Sequence, residues 1–363
     1  MIQRRHFLGA ATAAAFCLTT RTGFCAAPVA ALNWTSKVIQ TVRHGNLNRK
    51  PVVTGVSLQP VGSLLAIVGD DHYVSLYDVQ SQQFVEHLKK HTDWVRSAKF
   101  SADSAALFTC GNDHKLIRWE TDQFTKPTFE VRQTDAIIEL AISHDSTKVA
   151  TVGFNENLII RDSKTGDQIS TLRCACNDNH AVAFSADDKL VAAGGRCGTI
   201  RVWDVDSQAV VYELKAHRRR IRTLEFTPEG ELISAGDDQI VKVNRLDNPG
   251  LSVALPRQAS KLFAVKTIAP SVIATSGSDN RIHIWNTARV SEIGVLENHT
   301  GTVSSLDMAQ GVLVSGSFDT TVRIWTPNPD EIAVVTPRFV APESIPSTAA
   351  SLSGASDTFS TRR

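Results

Sequence analysis

Asp113-His114-Lys115-Leu116-Ile117-Arg118-Trp119, Asp279-Asn280-Arg281-Ile282-His283-Ile284-Trp285 and Asp319-Thr320-Thr321-Val322-Arg323-Ile324-Trp325 decide the fold. Each opens with Asp and two turn residues. Each then alternates apolar and polar positions up to a Trp, the period-two pattern of a half-buried strand. Tyr77, Arg161, Trp203 and Asn244 fill the Trp position in weaker copies. The seven positions 77, 119, 161, 203, 244, 285 and 325 are separated by 42, 42, 42, 41, 41 and 40 residues. Self-similarity at a fixed period of this length is the mark of a repeat architecture.

Within the second copy four strands are expected, at Trp94–Phe100, Ala105–Cys110, Lys115–Trp119 and Thr128–Arg132. Ser101-Ala102-Asp103-Ser104 and Gly111-Asn112-Asp113-His114 supply turn chemistry between them. No 3.6-residue periodicity intervenes, which excludes a βαβ arrangement. The expected fold is all-β, a seven-bladed β-propeller of four-stranded antiparallel blades. The last copy stops after its third strand at Trp325, where Pro327 and Pro329 forbid continued pairing.

Phe100-Ser101-Ala102-Asp103, Phe184-Ser185-Ala186-Asp187 and Phe226-Thr227-Pro228-Glu229-Gly230 resemble the first hairpin of the WD-repeat (WD40) family. His91, His217 and His299 stand where that family has its Gly-His, though the Gly is absent each time, and Trp203-Asp204 is its signature dipeptide. The resemblance covers 31–327. It implies that the strand-like segment Trp34–His44 completes the seventh blade from outside, leaving no open sheet edges at the closure.

The resemblance also assigns roles to polar residues. His91, Thr109, Asp113 and Trp119 in the second copy, and His299, Ser315, Asp319 and Trp325 in the seventh, match the family's structural tetrad. An imidazole between Asp and a hydroxyl is superficially a charge relay. The implied role is structural: Asp orients the ring, the ring meets the hydroxyl, and the indole N–H is satisfied. The fifth and sixth copies are partial, with Asn244 replacing Trp and Gln258 replacing His, and the first and third have degenerated. In the fourth, Cys176 and Cys197 occupy the His and Asp positions. Because those positions touch in the family, a Cys176–Cys197 disulfide is expected. Cys174–Cys197 pairing, two reduced buried thiols and a metal site are the alternatives.

No nucleophile elbow, zincin motif, phosphate loop or dinucleotide fingerprint occurs. The expected role is a non-catalytic protein–protein interaction scaffold, a monomeric ring using no cofactor and no metal. A propeller enzyme of lactonase or dehydrogenase type is the alternative, and would need three or more convergent carboxylates or imidazoles in the central channel. A cell-wall or carbohydrate binder is the third reading, weakened by the presence of only 3 Tyr.

A partner is expected on one rim face, where interstrand loops converge. The repeat register puts Trp94, Arg96, Phe154, His180, Arg196, Arg220, Arg222 and Phe318 there. His217-Arg218-Arg219-Arg220-Ile221-Arg222 is locally basic. An acidic or carboxylate-bearing protein segment gripped by Arg196, Arg220 and Arg222, with Trp94 as apolar anchor, is the expected ligand.

Arg4-Arg5-His6-Phe7-Leu8, the small apolar run to Leu18 and Arg21 resemble a twin-arginine (Tat) export signal, so 1–30 is read as a removable leader. The run is too short and Ala-rich for a permanent membrane span. A periplasmic or secreted protein is expected, cytoplasmic only if this reading fails. Residues 1–27 carry Arg4, Arg5 and Arg21 and no acid, so losing them takes the formal net charge from +1 to −2. That balance gives no basis for nucleic-acid binding. The tail 328–363, rich in Pro, Ser, Thr and Ala, is expected to be disordered.

Overall fold

Strands that are apolar on both faces must be covered on both faces. The seven repeats meet that requirement by stacking around an axis. The computed structural model describes residues 34–44 and 48–328, which form seven four-stranded antiparallel sheets. From the axis outward, blade one comprises Val53–Leu58, Leu64–Gly69, Val74–Asp78 and Gln83–Leu88. Blade two comprises Val95–Phe100, Ala106–Gly111, Lys115–Glu120 and Gln123–Arg132; blade three Ile137–Ile142, Lys148–Gly153, Asn157–Asp162 and Gln168–Arg173. Blade four comprises Asn179–Phe184, Leu190–Gly195, Thr199–Asp204 and Val210–Lys215; blade five Ile221–Phe226, Leu232–Gly236, Val241–Asn244 and the short Val253–Ala254. Blade six comprises Leu262–Ala269, Val272–Gly277, Ile282–Asn286 and Ser291–Leu296.

Blade seven takes Val303–Ala309, Val312–Ser317 and Thr321–Thr326 from the end of the ring and its outer strand, Thr35–Gln40, from the beginning. The register runs from Thr35 opposite Thr326 to Gln40 opposite Thr321. Beyond the strand, the Thr41 hydroxyl donates to the Thr320 carbonyl at 2.9 Å, and Trp34 is buried between blades six and seven. The chain is therefore closed by its own N-terminal strand. The leader expected at 1–30 lies outside the described residues, as does the tail expected to be disordered from 329 onward.

Hydrophobic burial is divided among seven clusters, each shared by two neighbouring blades. Between blades one and two, Val68, Val74 and Leu76 pack against Val95, Phe100, Leu107 and Trp119. Inner strands are consequently buried on both faces, whereas the outer Val210–Lys215 alternates between exposed and half-buried. No blade has a private core.

The tetrad residues lie at these blade boundaries. His91 Nδ1 is 3.0 Å from Asp113 and its Nε2 2.9 Å from Thr109 Oγ1, to which Trp119 Nε1 donates at 3.2 Å. His299, Asp319, Ser315 and Trp325 repeat this set at 2.8, 2.7 and 2.8 Å. In blade five, His217, Asp238 and Ser234 form the same chain, and Asn244 Nδ2 donates to Ser234 Oγ at 3.2 Å in place of the indole. Blade six departs further. Gln258 accepts from Thr275, and Asp279 turns to His283.

Candidate functional site

Every inner strand carries a one-residue register break against its neighbour, near its start. Such bulges re-aim the extra side chain. Here the seven extra residues are Thr54, Arg96, Ile138, His180, Arg222, Phe263 and Ser304, and all seven line one cavity of about 420 Å³ at a mouth of the central channel. The break has a visible cause in blades one to six. Opposite it stands Gly69, Gly111, Gly153, Gly195, Gly236 or Gly277, where a Cβ would come within 1.9–2.3 Å of a carbonyl oxygen of the entering chain. Blade seven uses Ser317 at that position. These glycines recur at the repeat period, and that recurrence is the sequence signal that could have located Thr54, Ile138 and Phe263; Ser304, opposite a Ser, could be placed only by counting the period on, and the sequence reading missed all four.

The structure brings most of the expected rim residues together. Arg96, His180, Arg220, Arg222, Phe154 and Phe318 all line the mouth. Trp94 stands beside it, its exposed indole lying 4.9 Å under the Arg96 guanidinium. Arg196 is elsewhere: it lines a separate depression with Cys176 and Cys197. Phe154 and Phe318 hold the equivalent place after Gly153 and Ser317 and do line the mouth, so the turn itself is not the difference; the Arg196 side chain lies instead beside Glu156, Arg173, Cys174 and Arg201.

The basic run is also largely neutralised. Arg220 Nη2 donates to Asp178 Oδ2 at 2.8 Å and Arg222 Nε to Asp237 Oδ1 at 2.9 Å. His180 Nε2 lies 2.7 Å from Asp178 Oδ1. Burial lowers the His180 imidazole to about 4 against the pull of Asp178, with Arg220 and Arg222 adding to the depression, so it is neutral at pH 7. Arg96 has a different setting. Its Nε donates to the Asn112 amide oxygen at 2.7 Å, and no ion pair with a carboxylate is formed among the described residues.

Below the mouth, the channel of about 530 Å³ carries Lys99, Glu139, Glu225, Lys266 and Asp307. The carboxylates reach three, the number named for an enzyme. Their partners decide their role. Lys266 Nζ lies 3.4 Å from Glu225 and 3.3 Å from Asp307. Glu225 also accepts the Thr267 N–H at 2.9 Å and Asp307 the Leu58 N–H at 2.8 Å, each from the next blade. Glu139 accepts from Ser97 Oγ of blade two at 2.5 Å and from the Leu140 N–H. Burial works against the charge on Lys266 and Asp307, but Glu225 and Asp307 raise the ammonium, and Lys266 and Lys99 lower the Asp307 carboxyl. These groups tie blades together. No cluster of His, Cys, Asp or Glu suited to a metal occurs among the described residues.

The model of the WD domain, G-beta repeat, matches residues 82–120, 166–204, 208–243 and 290–326. These segments are WD40 repeats. Each WD40 match begins at or just before the outer strand of one blade and ends in the third strand of the next, so the covalent repeat is staggered against the structural one. The chain is similar to apoptotic protease-activating factor 1 of Danio rerio, 23% identical over 69% of this chain and 20% of that protein. It is similar to the nuclear distribution protein PAC1 of Arthroderma benhamiae, 24% identical over 73% of this chain and 51% of the relative. Autophagy-related protein 16 of Arabidopsis thaliana matches at 20% identity over 65% and 55%. The chain thus spans between about a fifth and about half of the length of these relatives.

Proposed function

We propose that this WD40 ring is a non-catalytic docking platform that receives a segment of a partner protein at the mouth framed by the seven bulge residues. The observation that carries the reading is the convergence of Arg96, Arg222, His180, Phe263 and Ile138 on one cavity, with Trp94, Phe154 and Phe318 exposed around it. Arginine and aromatic side chains at the centre of a concave face are the residue types that dominate binding energy. A relative named as a protease-activating factor acts on another protein, which supports the same class of role.

The acidic-segment reading is sharpened by the ion pairs. A carboxylate docks first on Arg96, whose guanidinium lies over the Trp94 ring and has no ion-paired acid to displace among the described residues. Arg220 and Arg222 join only by exchanging Asp178 and Asp237 for the ligand. Arg196 takes no part in that grip. Partner capture by the wild type, by Arg96→Ala and by Arg220→Glu/Arg222→Glu tests this. Loss in the first variant and weakening in the second are expected; retention of every partner by both removes the mouth as the binding face.

We further propose export through the twin-arginine route, with the oxidising destination supporting the disulfide described below. Periplasmic fractionation of Arg4→Lys/Arg5→Lys against wild type is the check, and unchanged distribution refutes it. A catalytic reading rests on the three channel carboxylates. It requires an activity abolished by Glu139→Gln in a folded ring.

A further inference from the structure

Blade four is fastened at the mouth face by a covalent bond where its neighbours use hydrogen bonds. Cys176 and Cys197 are joined with their Cα atoms 5.7 Å apart. Ala193 stands where Thr109, Thr151, Ser234, Thr275 and Ser315 offer a hydroxyl in other blades, so no imidazole relay could replace the bond there. The bond is asymmetric. Cys176 is buried and Cys197 is exposed, in a depression shared with Arg173, Arg196 and Arg201. Arg173 and Arg201 are paired with Glu156 and Glu213, whereas Arg196, next in sequence to Cys197, has no acidic partner among the described residues.

The disulfide also anchors the loop that organises the mouth. The Cys197 N–H points at Cys176 Sγ at 3.2 Å, and the Cys176 carbonyl accepts from Asn179 Nδ2 at 3.0 Å. Between them, the Asp178 carbonyl accepts the Arg196 N–H at 2.8 Å while its carboxylate holds His180 and Arg220. One short segment therefore connects an accessible sulfur to the ion-pair cluster at the mouth.

We infer that Cys176–Cys197 is a reversible exchange site for small anionic thiols, and that opening it releases Asp178 from His180 and Arg220. Exposed disulfides are the ones open to exchange. An incoming thiolate bonds to Cys197 Sγ, the Cys176–Cys197 bond breaks, and its electron pair leaves on Cys176, which takes up a proton. A second thiolate attacks the mixed disulfide at the added sulfur, leaving Cys197 as a thiol and the reductant as its own disulfide. Arg196 favours the anionic reagent by its charge at the point of entry. Cys174 does not compete, because burial pushes its thiol up to about 12 and leaves it protonated. The inference concerns these residues and holds whatever occupies the mouth.

The test treats the folded full chain with reduced glutathione or with cysteamine near neutral pH, then alkylates and maps the cysteines by mass. Cys176 and Cys197 should become labelled while Cys110 and Cys174 stay protected until denaturant is added. Arg196→Ala should slow the glutathione reaction about threefold and leave cysteamine unslowed, the size expected for one screened charge. In the reduced protein the His180 titration midpoint, followed by NMR, should fall further below the ordinary imidazole range, because the carboxylate that opposes burial, Arg220 and Arg222 is withdrawn. Labelling of Cys176 and Cys197 only under denaturant, together with Cys110 and Cys174, would show a permanent staple and overturn the exchange site. Reduction that leaves the His180 midpoint unmoved would overturn the coupling.

Discussion

Replacing Lys266 by Met removes the one cation that separates two channel carboxylates contributed by different blades. The ammonium lies 3.4 Å from Glu225 and 3.3 Å from Asp307. At an effective dielectric constant of about 20, each contact is worth roughly 5 kcal/mol, and several kcal/mol of ammonium desolvation offsets the pair. The carboxylates keep their backbone N–H donors from Thr267 and Leu58, but the cation left near Asp307 is Lys99, which forms no ion pair with either among the described residues. A loss of about 3–4 kcal/mol at pH 7 is expected. The pH dependence has a definite sign. In the wild type Asp307 is held below its usual pKa, so its contribution is present above that usual value and is lost as pH falls through the folded one. In Lys266→Met the largest remaining influence on Asp307 is burial, which raises its carboxyl against Lys99 and the Leu58 and Met308 N–H groups, so the penalty shrinks as acid protonates it. Urea denaturation followed by tryptophan fluorescence at pH 7 and pH 5 measures both effects. A destabilisation below about 1 kcal/mol, or one unchanged between the two pH values, would refute the account of the channel charges as blade ties.

Three further outcomes are expected. Cys176→Ser/Cys197→Ser should cost about 3 kcal/mol relative to the oxidised wild type, since the bond closes a loop spanning 21 positions, and the gap should vanish in reductant. Gly195→Ala places a Cβ 2.0 Å from the Asp178 carbonyl and should cost well over 2 kcal/mol, whereas Gly230→Ala, with open space but a φ of +85°, should cost about 1 kcal/mol; thermal melts rank the two. His283 sits between Glu292 and Asp279, which outweigh burial and raise its imidazole to about 9. The wild-type advantage over His283→Gln, about 2 kcal/mol, should be complete below the ordinary imidazole pKa and disappear as pH rises through 9.

The blade count was legible because the repeat anchors are local: an Asp-led turn and an alternating strand require nothing from the rest of the chain; the closing strand, whose partner lies at the far end of the ring, was legible through the family resemblance. The tetrads at His91 and His299 were legible through the family resemblance, and the intact His217–Asp238–Ser234 chain was understated because Asn244 replaces the expected Trp while donating to the same hydroxyl. The mouth was read incompletely. Trp94, Arg96 and His180 stand out by residue type, while Thr54, Ile138 and Ser304 are ordinary residues given importance only by register breaks. The basic run His217–Arg222 looked free in sequence because its acidic partners, Asp178 and Asp237, come from separate loops and meet it only after the blades stack. Charge composition says how many ions a segment has; the ring decides which of them are already spoken for.

The closing strand also sets an order in time. Thr41 and its acceptor Thr320 are 279 residues apart. At a synthesis rate of about 5–20 residues per second, the strand made first waits roughly 15–60 s for its partner to emerge. Until then Thr35–Gln40 is an unpaired segment, and the cluster joining Ile39, Val53 and Leu65 to Val314 and Ile324 is only half present. A chain interrupted before Thr321 exposes both faces of that seam together, so an incomplete ring is a sticky one from its first blade as well as its last.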